Sequence, residues 1–238
     1  MSTPWDFQET LRLVHEKHGH EQRRVVEPPV RSLVRRLGFA VFHTGEVLRH
    51  FNASDANVLR GQDLSDVLFD PDRSAQHHDA QYAMAAHTLA AIENLHSTAD
   101  LLAKAVFCSL KLQALGEPPF LTEADVNYGN VLAHIRQLPA CRVVAPAMHA
   151  LKSSPSFEYL DALVEEGRRG MVVSAGIWFD ATGRDSETYR LRLPVFSHGD
   201  KQFSARDVDP LLLTEGLRVQ QTVHAAMAAV NQRLSADL

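Results

Sequence analysis

The stretch from about Ser74 to Leu115 constrains this chain most. Ala, Leu, Glu, Gln and Lys fill it, and neither glycine nor proline interrupts it, so it predicts one long helix. Gly116, Pro118 and Pro119 then predict the stop. At helical spacing Met84, Ala91, Leu95, Ala99, Leu102 and Val106 form one apolar wall. Ala85, Leu89, Ile92, Ala103 and Phe107 form a second wall beside it, leaving a charged stripe near Glu93, Lys104 and Lys111. A helix so apolar around its circumference belongs at the centre of a fold.

The remaining segments are shorter. Residues 5–20 predict a first helix, which Pro28 and Pro29 should break. After them Val30, Leu33, Val34, Leu37, Val41, Thr44, Val47, Leu48 and Phe51 repeat at three and four, predicting an amphipathic helix with a basic outer face. "NASDAN" and "PDRS" bracket an irregular piece containing "LSDVLF". Thr122 with Asp125 predicts a capped helix up to Pro139, and Ser156 is the expected cap of a later one. From Gly170 the chain turns β-branched and aromatic, and "ATGRDS" supplies turn chemistry for a hairpin over about 170–198. Asp209 and Pro210 open a last helix over about 209–234. The expected fold is mainly α: a helical bundle with a long central helix and one β-hairpin before the C-terminal helix, in a single domain over 1–238.

Composition limits the function classes. A net charge of −5 argues against a protein coated in positive charge for nucleic acid. Lys17, Arg23, Arg24, Arg31, Arg35 and Arg36 still gather locally. Two cysteines without ligand spacing read as reduced thiols, and the N-terminal stretch lacks the apolar core of a leader. No run approaches the ~18 apolar residues of a membrane span. A cytoplasmic protein without membrane contact is expected.

Thirteen histidines are the one unusual feature of the composition. His96 and Asp100 fall at i and i+4 on the long helix, the spacing of a two-ligand site or of polar residues bonding a neighbouring helix. His87 and Asn94 share a face roughly opposite to that of His96, and His77 and His78 lie far up the same helix, so its histidines do not converge. "HEKHGH" clusters His15, His18 and His20 but is one residue short of the zinc-protease spacing. Arg168 and Arg169 close a helix, where they suit its dipole or a phosphate, with Glu165 and Glu166 opposing the latter. No glycine-rich phosphate loop, nucleophile elbow or cysteine ligand set is present. No metal and no cofactor is expected on these grounds. The alternative is a helical scaffold holding a small ligand or metal near His96 and Asp100.

Two stretches carry a resemblance. "AAHTLAAIENLHSTADLLAKAV" resembles the central helix of a bacterial branch of the HEPN superfamily, and "SPSFEYLDALVEEGRRGMVV" is similar to that branch's second mark. Phe157, Tyr159, Leu160 and Val164 match the latter, as does the order of helix, hairpin and helix. Where the family pattern has Asn and then Lys-His-Arg, this chain has Glu165 and then Arg168, Arg169 and Gly170. Active members use an Arg-x(4–6)-His pair, the arginine neutralising phosphate and the histidine moving a proton. Arg36/His43 and Arg218/His224 fit that spacing, but Arg73/His78 alone has the polar residue after Arg. The resemblance implies a catalytically degenerate homodimer that binds RNA, a nucleotide or a partner protein in a toxin–antitoxin or defence setting. If catalysis survives, it implies a metal-independent ribonuclease using Arg73 and His78.

Overall fold

The structure is a computed structural model describing residues 5–54, 71–115, 121–180 and 188–236. "LSDVLF", the Gly116–Pro119 stop and the "ATGRDS" turn lie outside the described residues. The protein is mainly α. Its described helices are α1 (Phe7–Ser54), α2 (Pro71–Leu110), α3 (Tyr128–Gln137), α4 (Ala145–Lys152), α5 (Pro155–Arg168) and α6 (Val208–Ser235). Strands β1 (Gly176–Asp180), β2 (Thr188–Leu193), β3 (Phe196–His198), β4 (Lys201–Phe203) and β5 (Arg206–Asp207) lie between α5 and α6. No described helix is long and apolar enough to cross a membrane.

The first helix breaks elsewhere than the prolines suggest. Pro28 and Pro29 lie inside α1, whereas Gly19 leaves helical geometry at φ 85 and ψ 176. That region belongs almost exclusively to glycine. The prolines are tolerated because the carbonyls they orphan belong to Arg24 and Val25, both on the exposed side where water replaces the lost bonds. Val26, Val30 and Leu33 are fully buried around them and hold the helix in place.

The long helix ends earlier than expected. Lys111 adopts a left-handed φ of 52, so α2 stops at Leu110 and a short 3-10 turn follows. The caps of two helices also differ from expectation. Asn127, rather than Thr122, caps α3 by accepting from Asn130 N at 2.9 Å, while Thr122 bonds Asp125. Ser154, rather than Ser156, serves α5, its hydroxyl accepting from Ser156 N at 3.1 Å. In each case a polar side chain just before the helix reaches the orphan N–H groups.

The chain divides into two compact units. The first comprises residues 1–38, 95–158 and 217–238. Its core includes Leu11, Val14, Val30, Leu102, Val106, Ile135, Phe157, Val223 and Met227. Hydrogen bonds tie its helices: Thr10 Oγ1 donates to Asn231 Oδ1 at 2.7 Å, and Gln22 Nε2 to the Cys108 carbonyl at 2.7 Å. Arg218 donates to the carbonyls of Ala150 and Leu151, at 2.8 and 2.7 Å, where α4 runs out of acceptors' partners.

The second unit comprises residues 39–94 and 159–216. β1 and β2 form the expected antiparallel hairpin, with Ile177 opposite Leu191 and Trp178 opposite Arg190. Leu191 and Leu193 are buried, while on the alternate positions Arg190 is exposed and Arg192 is half-buried against Asp207. β5 adds a third strand to β2, and β3 with β4 makes a second small hairpin turning at Gly199, whose φ is 58. Phe196 and Phe203 stack across that hairpin at 5.0 Å, and Tyr159 of α5 meets both rings edge-on. Aromatic packing of this kind explains why so short a pair of strands holds.

Candidate metal centre

Along the second half of α1, Ala40, Thr44 and Val47 are buried at alternating steps of four and three, which fixes the helix's rotation. His43, Glu46 and His50 then fall together on the half-buried flank of that stripe. α2 supplies His87, three residues after the buried Met84 and one before the buried Thr88. One ligand atom each from Glu46, His50 and His87 lies within 4.8 Å of the others. His43 stands against the same group, its Nδ1 only 2.9 Å from His87 Nδ1. The His50 and His87 rings stack at 5.8 Å, and His43 and His87 lie 5.1 Å apart. Phe42 meets His43 and His87 edge-on at 5.1 and 6.4 Å, giving the cluster an apolar side.

Loss of protons favours ligation. Burial, and then His87, holds His43 below its ordinary value; burial, then Arg49 and His87, does the same for His50. Glu46 is also held low, first by its hydrogen bond from Arg49. These directions favour a lone pair on His43 and His50 and a carboxylate on Glu46, the forms that bind metals. Two imidazoles with one carboxylate is a donor set used by catalytic zinc sites, and imidazole suits zinc, copper, iron and nickel. Donor atoms around one zinc ion sit roughly 3–3.5 Å apart. From separations of up to 4.8 Å, the ligand atoms would need to close by about 1.3–1.8 Å to share one ion.

The residues singled out from the sequence lie elsewhere. His96 is buried and stacked on Phe157, with 6.1 Å between ring centres and 26° between planes. Asp100 accepts from Tyr128 N at 3.1 Å, so the two residues face different partners. Arg168 pairs with Glu165 at 2.5 Å and Arg169 with Glu166 at 3.4 Å. Glu166 is buried and also bonds His198 Nδ1 at 2.8 Å, linking α5 to β3. His78 is exposed on α2, and Arg73 lies in the same helix with its side chain outside the described residues. In "HEKHGH", His15 and His20 sit edge-on at 6.1 Å across the Gly19 break. His224 lies 6.0 Å from Trp5, while Arg218 serves α4.

His43, Glu46 and His50 were missed as a group. Their spacing of i, i+3 and i+7 in "HTGEVLRH" was the available signal. The partners of His87 are on α1, which spacing within α2 does not show.

Comparison with known proteins adds nothing to this geometry: no family model, no curated protein and no solved structure matches the chain.

Proposed function

We propose that the protein is a helical metal-binding protein taking a divalent transition ion such as zinc on Glu46, His50 and His87. The observation that carries this is the convergence of three ligand atoms from two helices within 4.8 Å. His43 orients the set by bonding His87, the usual task of a residue behind a metal-bound imidazole. Zinc titration of chelator-stripped protein should give one site per chain. His50→Ala and His87→Ala should lose it, while His96→Ala should keep it.

A second reading is favoured by the order of elements. A long helix, short helices, a hairpin region and a last helix follow the arrangement that the HEPN-like resemblance implies. Phe157, Tyr159 and Leu160 are fully buried, as residues framing such a fold would be. On this reading the chain is a homodimeric domain that binds RNA, a nucleotide or a protein partner. Incubation with RNA, comparing wild type with Arg73→Ala and His78→Ala, tests the residual ribonuclease version; light scattering tests the dimer.

A further inference from the structure

We propose that Arg49 is a resident cation of the metal site, so that metal binds by displacing its guanidinium and the site loads reversibly. This rests on the metal reading above. Arg49 Nη2 lies 2.6 Å from Glu46 Oε2 and 2.9 Å from His50 Nε2. Arg49 Nε reaches the same carboxylate oxygen at 3.0 Å. Those two acceptor atoms are themselves 4.0 Å apart. One positively charged nitrogen therefore sits between two atoms that a metal would use.

The chemistry leaves one arrangement of protons. Arginine has donors and no acceptor, and it stays charged at any physiological pH. His50 Nε2 must then be the acceptor, with its proton on Nδ1. The lone pair directed at Arg49 is the one an ion requires, so guanidinium and metal compete for the same electrons. Meanwhile Arg49 keeps this side of the site ordered in its ligating form.

The arginine can leave readily. Its side chain is 59% exposed, so the head can return to water without crossing packed protein. A structural metal site closed by buried ligands would show no such occupant. A site guarded by an exposed, flexible cation fits a protein that takes up and gives back its metal with changing supply.

The test measures zinc affinity against a chromophoric chelator for wild type, Arg49→Gln and Arg31→Gln, with circular dichroism to establish that each is folded. Arg31 pairs with Glu27 at 2.6 Å in the other unit and removes the same charge without touching the site. Arg49→Gln should bind zinc about tenfold more tightly or better, since no charged guanidinium has to be displaced from Glu46 and His50 first. Arg31→Gln should match wild type. Equal or weaker binding by Arg49→Gln, with wild type binding, overturns the displacement model and leaves the metal site standing. Equal tightening by Arg31→Gln also overturns it, because the effect would be one of net charge. No zinc binding by wild type or by Arg49→Gln overturns both readings.

Discussion

Asp100 accepts a hydrogen bond from the backbone N–H of Tyr128 at 3.1 Å, so a side chain of α2 satisfies the first residue of α3. A carboxylate at a helix N-terminus is favourable both as an acceptor and against the helix dipole. Asp100→Ala should therefore destabilise the protein by about 1 kcal/mol, with Asp100→Asn losing less. Chemical denaturation measures it. Zinc binding should be unchanged in both variants.

Glu166 is the second buried anchor. It is 4% exposed, yet holds His198 and Arg169. Glu166→Ala should cost about 1.5–3 kcal/mol by removing charge-assisted bonds, and Glu166→Gln should recover part of that. Hydrogen exchange should show the loss in β3 and the C-terminal turn of α5.

Gly19 sits at φ 85 with open space around its Cα, so strain rather than collision decides what replaces it. Gly19→Ala should destabilise by about 1–3 kcal/mol, seen as a lower thermal midpoint. Helix propensity alone would favour alanine at this position and predict the opposite sign.

Acid should weaken the first unit. Burial, and then the cations Lys17, Lys111 and Arg233, lowers His18 below 6.5; burial alone does the same for His224. Well above pH 6.5 both residues are neutral folded or unfolded and stability is unaffected. As pH falls through that value the unfolded chain takes up protons first, so folding stability drops. Denaturation curves from pH 7.5 to 5 should show the fall, and a double His18→Gln, His224→Gln variant should flatten it.

How much of this was readable in the sequence differs from element to element. The long helix was legible because its composition leaves few alternatives, and the β1–β2 hairpin because Leu191 and Leu193 alternate with arginines. The break in α1 was misplaced because proline is a strong signal, while the escape of the orphaned carbonyls to water depends on which side of the helix faces out. β3 and β4 are too short to show a period and are held by aromatic contacts with α5. The histidine cluster needs α1 and α2 to be side by side at one register, and local spacing carries no such information. His43, Glu46 and His50 could have been noticed as a face; the choice of His87 could not.

The most direct test of the account is a zinc titration of the chelator-stripped wild-type chain beside the His50→Ala, His87→Ala double variant. One zinc per wild-type chain, with binding abolished in the double variant, is the result predicted. Binding that survives in the double variant, or no binding by wild type, would contradict it.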